Sequence, residues 1–322
     1  MTKTIAILTG GGDAPGMNAC IRALVRTALF HGIRPYGVKR AYAGLISGDF
    51  QELNARDVGG ILHAGGTMLQ TARLVEFHEE HVQLQAIAQL QSFACDALVV
   101  IGGDGSLTGA RAMAKHGFPV IGIPASIDND IYGTDMSIGA DTAVNTVLTA
   151  IDSLRDTASS HQRTFIVEVM GRNCGYLALM AGISGGAEVI HIPEIELSLD
   201  EILARVEDAA KRQKTHAIIV VSEGARHKSQ EIAAFLQQRH TGFEVRTTIL
   251  GHVQRGGRPT YFDRFLATRM GVKAIEALLH NNSGVMVGLK NQSMALVPLE
   301  EVIAQKPELP CEYYEMAKVL AL

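Results

Sequence analysis

Cysteine is scarce in this chain. Its four cysteines (Cys20, Cys95, Cys174 and Cys311) are scattered, with no CxxC pair and no metal-ligand spacing. That argues against a zinc ribbon or a disulfide framework and predicts reduced thiols packed in a core. No apolar run approaches the roughly 20 residues that span a bilayer, so no membrane partner is expected. An excess of basic charge is also missing. Lys and Arg total 29 against 33 Asp and Glu, a formal charge of −4, which argues against a general nucleic-acid binder. The start, Met1-Thr2-Lys3-Thr4-Ile5, enters a strand directly without a signal-peptide pattern, and a cytoplasmic location is expected. There is no low-complexity linker and no short internal repeat.

What the chain does have is glycine and apolar bulk. Its 33 glycines and 47% hydrophobic content suit an α/β protein with many tight turns, and 322 residues fit about two domains. The most informative stretch is Leu98-Val99-Val100-Ile101-Gly102-Gly103-Asp104-Gly105-Ser106. Four apolar residues predict a strand buried on both faces. Three glycines let the backbone turn tightly and approach a ligand. Asp104 sits where it would repel a phosphate unless a divalent cation lay between them. Ser106 is a helix-capping residue type and Leu107 to His116 reads as a helix, whose first N–H groups would face an anion. These residues point to a site for a metal-bound nucleotide phosphate. A flexible strand-to-helix turn is the other reading of this stretch alone.

The same unit recurs along the chain. Lys3 to Thr9 is a strand ending in Gly10-Gly11-Gly12-Asp13-Ala14-Pro15-Gly16. Gly11 and Gly16 have P-loop separation, but Met17-Asn18 stand where Lys-Ser/Thr belongs, and no GxGxxG register fits. Ile21, Leu24, Val25, Ala28 and Leu29 then mark one apolar helix face, with Arg22 and Arg26 one turn apart on another. Tyr36 to Val38 reads as a strand, Tyr42 to Leu45 as a turn, Gln83 to Gln91 as a helix, and Phe118 to Ile123 as a buried strand closed by Pro124 to Asp130. This order predicts a parallel, doubly wound sheet whose polar loops, at 10–16, 102–106 and 125–130, share one crevice. Val144, Val147, Leu148, Ile151 and Leu154 mark a long helix into a second α/β domain. Its strands are Phe165 to Val169, Ala217 to Val221 and Val245 to Leu250, and Ser198 to Glu201 is a capping box opening a helix to about Gln213.

Asp128 and Asp130 flank Asn129, and an extended backbone there would point both carboxylates the same way. One would serve as general base toward a hydroxyl while Asp104 holds a metal, the division of labour a kinase needs. Arg73, Arg163, Arg172, Arg246, His252 and Arg255 all lie at strand ends or glycine-rich turns, and converging arginine forks make a sugar-phosphate pocket.

Six ordered segments, GGDAPGMN (11–18), IGGDGS (101–106), IDND (127–130), SSHQR (159–163), VMGRNCG (169–175) and GHVQRGG (251–257), resemble the bacterial ATP-dependent 6-phosphofructokinases (the phosphofructokinase A family) over nearly the whole chain. The resemblance implies two Rossmann-like doubly wound domains of mainly parallel strands with the active site in the cleft between them. A nucleotide-binding domain would cover 1–138 plus part of 251–305, a sugar-phosphate domain 139–250, and a C-terminal helix 306–322. It implies catalysis by Asp128 as the base for the 1-hydroxyl of fructose 6-phosphate, with Gly12, Ser126 and Arg172 at the transferring phosphoryl. Nucleotide contacts fall on Gly12, Tyr42, Arg73, Leu74, Gly103, Asp104, Gly105, Ser106 and Gly109, with Mg²⁺ on Asp104. Substrate contacts fall on Ser126, Ile127, Asp128, Asp130, Met170, Gly171, Arg172, Glu223, His252, Val253, Gln254 and Arg255. Arg163 and Arg246 would reach in from a neighbouring subunit of a homotetramer. Arg22, Arg26, Arg155, Gly186, Glu188, Arg212, Lys214 and His216 match the family's effector site for ADP or phosphoenolpyruvate.

Two positions bear on the phosphoryl donor. Pyrophosphate-dependent relatives carry Asp where this chain has Gly105, and Lys where it has Ala125. An Asp would crowd a nucleotide's α-phosphate and a Lys would compensate charge on the smaller donor, so small residues at both favour ATP. The family usually has Thr at Ser126 and Gly at Ala125; the hydroxyl survives. Ala55, Gly60 and Thr215 replace the usual effector-site arginine, aspartate and lysine, with Arg56 one position from the missing arginine, so a weakened or retuned effector response is expected. The rivals are a pyrophosphate-dependent enzyme, a dinucleotide-binding oxidoreductase and a non-catalytic sugar-phosphate sensor. Gly105 and Ala125, the missing GxGxxG register, and the presence of both Asp104 and Asp128 argue against them in turn.

Overall fold

The computed structural model describes residues 2–239 and 242–321. In chain order the first elements are β1 (Thr4–Gly10), α1 (Met17–Phe30), β2 (Arg34–Val38), α2 (Ala41–Ser47), β3 (Phe50–Glu52), α3 (Glu80–Ser92), β4 (Ala97–Gly102), α4 (Asp104–Lys115) and β5 (Val120–Pro124). Then come α5 (Ala140–His161), β6 (Arg163–Val169), α6 (Tyr176–Ser184), β7 (Val189–His191), α7 (Leu199–Lys211), β8 (Ala217–Ser222), α8 (Ser229–Gln237) and β9 (Glu244–Ile249). The chain closes with α9 (Tyr261–Leu279), β10 (Val285–Lys290), β11 (Ser293–Pro298), α10 (Leu299–Ala304) and α11 (Cys311–Leu320). It divides into two compact units, Met1–Thr142 with Arg255–Pro307, and Ala143–Gln254 with Glu308–Leu322.

The first unit holds a seven-stranded sheet, ordered β11-β10-β5-β4-β1-β2-β3. Strands β10, β5, β4, β1 and β2 are parallel; the edge strands β3 and β11 run antiparallel to their neighbours. Every residue of β1 and β4 is buried, as strands covered on both faces require. The chain leaves β1 toward β2 on one side and returns to β4 on the other. The switch point therefore lies where β1 and β4 end, with Gly10 opposite Gly102. In a doubly wound sheet a ligand binds outside the carboxyl ends at this point.

The second unit has four parallel strands, ordered β7-β8-β6-β9, with its switch point between β6 and β9. The expected capping box opens α7: Ser198 Oγ accepts from the Glu201 N–H at 3.2 Å, and Glu201 Oε2 accepts from the Ser198 N–H at 2.7 Å. Among the cysteines, Cys20 and Cys95 are buried thiols and Cys174 is half-buried; the Cys311 side chain lies outside the described residues. Burial pushes the Cys95 thiol up to about 12, so it is an inert packing group.

Some local expectations fail for identifiable reasons. Phe118 lies outside β5, because Pro119 has no N–H to give a ladder and pairing starts at Val120. Tyr42 to Leu45 is not a turn but part of α2, entered through positive φ at Arg40 and Ala41. Its glycine, Gly44, is there because the Lys39 carbonyl occupies the place of a Cβ. Leu29 is exposed rather than on the buried face of α1.

Candidate active site

The first loop cluster is built by close approach. A Cβ on Gly10 would lie 2.5 Å from Ser106 Oγ, and one on Gly102 would lie 2.6 Å from the Gly10 carbonyl. Only glycine at both strand ends lets the first turn of α4 settle on them. Ser106 is thus not a cap: α4 starts at Asp104 with Gly103 as N-cap, and Ser106 is buried against the two glycines. Its carbonyl accepts from the Tyr42 hydroxyl at 2.7 Å. Burial raises the Tyr42 pKa, keeping it a neutral donor. The Tyr42 ring stacks on Phe77 with centroids 3.9 Å apart, and a Cβ on Gly109 would strike it at 2.7 Å. Tyr42, Ser106 and Gly109 therefore form one wall.

That wall borders a cavity of about 400 Å³ lined by Gly10–Gly12, Ala41, Tyr42, Ala72–Val75 and Gly103–Ser106. Its size falls in the range of small-molecule sites. Arg73 and Leu74 face it, and the start of α4 offers it a helix N-terminus, a ready anion site. A Cβ on Gly105 meets no atom within 4 Å, so the space beside it is cavity. Asp104 reaches the rim with its side chain 46% exposed. One accessible carboxylate beside a phosphate-sized cavity fits Mg²⁺, which is held by one or two carboxylates plus phosphate oxygens rather than by an all-protein cage. No cluster of three His, Cys, Asp or Glu able to hold a metal occurs among the described residues. Asn18, noticed in the sequence only as a P-loop mismatch, staples the neighbouring loop. It donates to the carbonyls of Ala64 and Gly65 and accepts from the Met68 N–H.

The loop after β5 is not extended. Asn129 has φ +49°, and its side chain clamps the turn by accepting from the Ser137 N–H at 2.8 Å and donating to the Asp135 carbonyl at 3.2 Å. This corrects the expected parallel pointing of Asp128 and Asp130, since a left-handed residue between them breaks the alternation. Asp130 Oδ1 accepts instead from Ser126 Oγ at 2.7 Å. Ile127 is buried, and Asp128 is half-buried.

The chain's likeness to known proteins accords with this geometry. A family profile described as phosphofructokinase matches residues 4–278. The chain belongs to the phosphofructokinase family. It is 49% identical over 320 residues to a protein of Halalkalibacterium halodurans and 50% identical over 320 residues to one of Clostridioides difficile, each named ATP-dependent 6-phosphofructokinase. Both alignments cover 99% of this chain and 100% of the relative. Among solved structures, a Pichia pastoris phosphofructokinase in the T-state superposes with TM-score 0.90 at 38% identity. It covers 99% of this chain, which spans only 36% of that longer one. A pyrophosphate-dependent phosphofructokinase of Marinobacter aquaeolei, at 23% identity and TM-score 0.88, covers 97% of this chain and 86% of its own and shares the fold.

The residues expected at the sugar phosphate are divided by the structure. Met170 and Gly171 end β6 and meet the turn after β9: the buried Gln254 accepts from the Met170 N–H at 3.2 Å and donates to the Gly251 carbonyl at 2.9 Å. Glu223 follows β8, its N–H bonded to the Val169 carbonyl, while Gly171 accepts from Ser222 Oγ. Arg172, His252 and Val253 are exposed beside them in the same unit. Arg163 and Arg246 are not brought there. Arg163 opens β6 and Arg246 lies near the start of β9, about 20 Å from Met170 at the usual strand rise. Glu244 pairs with both, at 2.8 Å to Arg163. Arg255 belongs to the first unit. Its guanidinium covers Gly12, where a Cβ would lie 1.6 Å from Nη1, and its buried Nε has no partner among the described residues.

The effector set is likewise split. Arg22 and Arg26 lie on α1, with Arg26 donating to the Ala55 carbonyl. Arg155, Gly186, Glu188, Arg212, Lys214 and His216 belong to the second unit. Glu188 is 8% exposed and accepts from Lys214 at 3.3 Å and from the Ile218 N–H at 2.6 Å. Lys214 and Arg212 both donate to the Ala321 carbonyl. Arg155 lies against Gly186, and His216, whose pKa burial lowers, bonds Ser159.

Proposed function

We infer that this chain is an ATP-dependent 6-phosphofructokinase, transferring the γ-phosphoryl of ATP to the 1-hydroxyl of fructose 6-phosphate to give fructose 1,6-bisphosphate and ADP. The observation that carries this is identity of about half the residues with ATP-dependent enzymes over their full length. The open space at Gly105 supports ATP over pyrophosphate, because it leaves room for a nucleotide beside the phosphate loop. Ala125 supports it too: it is buried, with its N–H bonded to the Gly102 carbonyl, and it carries no positive charge to compensate a smaller donor. No helix among the described residues is long and apolar enough to cross a membrane.

In this reading the adenosine end lies along the Tyr42–Gly109 wall, and the phosphates meet the N–H groups of Gly11, Gly12 and the start of α4. Mg²⁺ is the proposed cofactor; Asp104 would hold it, and it would supply positive charge that offsets the phosphates. Asp128 takes the proton of the 1-hydroxyl as that oxygen forms its bond to the γ-phosphorus and the bond to the β-phosphate oxygen breaks. Gly12, Ser126 and Arg172 supply hydrogen bonds and positive charge as the phosphoryl moves, a form of electrostatic stabilisation usual for this transfer. Met170, Gly171, Glu223, His252 and Arg255 hold the sugar phosphate. Arg163 and Arg246, far from those loops in their own chain, complete a neighbour's site in a cytoplasmic homotetramer. ADP and phosphoenolpyruvate are the proposed effectors. Incubating the protein with MgATP and a panel of hexose phosphates, followed by ³¹P NMR, tests the acceptor. New phosphate at carbon 1 of fructose 6-phosphate is expected, and no phosphorylated product from any of them would overturn the reading.

A further inference from the structure

The segment after α10 reaches the rim of the nucleotide cavity, although no motif there marks it. Helix α10 packs on α4, burying Leu299 and Val302 in the core that α4 also lines. Glu300, near its start, pairs with Lys115 at 3.0 Å and Arg111 at 3.2 Å in the last half of α4. The helices therefore run antiparallel, and the chain leaving α10 arrives at the first turn of α4. There Lys306 Nζ lies 3.1 Å from Asp104 Oδ1. Both side chains are substantially exposed, so the pair is weak and easily exchanged. Asp104 is the residue that fits a metal ion, and without a cation it would repel phosphate.

We propose that Lys306 is a stand-in for the divalent cation: it neutralises Asp104 in the metal-free cavity and yields the carboxylate when a metal–nucleotide complex binds. This rests on the nucleotide site proposed above. A lysine is suited to the task, being a compact point charge on a flexible stem. The cavity thereby admits nucleotide both with and without metal, and the metal competes with Lys306 for one carboxylate.

Titration calorimetry of ADP, with Mg²⁺ and with EDTA, on wild type, Lys306→Met and Lys306→Arg tests this without catalysis. The methionine keeps the stem and loses the charge. Metal-free ADP is expected to bind Lys306→Met about tenfold more weakly, the scale of one uncompensated charge near a phosphate. MgADP affinity is expected to stay within about twofold, and Arg is expected to restore metal-free binding. In an Asp104→Asn background the effect of Lys306→Met on metal-free ADP is expected to vanish. Equal weakening of both forms would make Lys306 an ordinary phosphate ligand or a structural group and overturn the proposal; so would no change in either, or wild type that binds no metal-free ADP. Wild type that binds neither form would overturn the nucleotide reading itself. Unchanged melting of Lys306→Met confirms that the variants are folded.

Discussion

Ser126 Oγ donates to Asp130 Oδ1 across 2.7 Å, on the loop where Asn129 separates the two acidic residues. Asp130 is thereby tied to its own loop, and Asp128 is the residue proposed above as the base. Asp128→Ser is expected to lower kcat by about 10²–10⁴-fold, the usual share of a positioned base, with little change in either KM. Near-normal kcat in steady-state kinetics would contradict the assignment.

Gly105 faces open cavity, so an added side chain costs the fold nothing and the ligand a great deal. Gly105→Asp is expected to raise the KM for ATP by about tenfold or more through charge and crowding, with the melting temperature unchanged. A normal KM for ATP in that variant would remove the steric basis for donor choice.

How much of this was legible in the sequence depends on the range of the interaction. The glycine-rich strand ends could be read because turn chemistry is local, and the β1 and β4 loops follow directly from Leu98 to Ser106 and Gly10 to Gly16. The left-handed Asn129 could not be, although Asn tolerates that conformation, since the clamp on Ser137 and Asp135 fixes it. Ser106 looks like a cap because caps are defined by neighbours in sequence, whereas its real partners are two glycines on separate strands. Lys306 has no local signal at all; only the antiparallel packing of α10 on α4 delivers it to Asp104.

Asp263 is fully buried, accepting from the N–H groups of Gly139 and Thr142 and from Thr142 Oγ1. Burial outweighs these bonds and raises its pKa to about 6. A carboxyl raised in the folded state stabilises below its unfolded pKa and loses that contribution as pH rises through the folded value. Asp263 therefore removes about 3 kcal/mol of stability between about pH 4 and pH 6 as pH rises. Buried His191, lowered to about 4, acts oppositely over the same window. The difference between wild type and Asp263→Asn isolates the first effect. Urea unfolding at both ends of the window is expected to show a pH-dependent gap that shifts in the variant's favour as pH rises, and a constant gap would contradict it.

Among the positions matched to the proposed effector site, Lys214 and Arg212 are kept, while Ala55 and Thr215 stand where the resemblance expects cations. Each charge-assisted bond is worth about 1.5–3 kcal/mol, so phosphoenolpyruvate inhibition is expected to be weak and to strengthen by about tenfold or more in Ala55→Arg/Thr215→Lys. Inhibition by low micromolar phosphoenolpyruvate in wild type would contradict this.

The donor assignment rests on the open space at Gly105 and on identity with ATP-dependent relatives. A coupled assay of fructose 1,6-bisphosphate formation with Mg²⁺, offering ATP and pyrophosphate in separate reactions, tests it most directly. Turnover with ATP and none with pyrophosphate is the expected result; turnover with pyrophosphate alone, or with neither donor, would contradict the account.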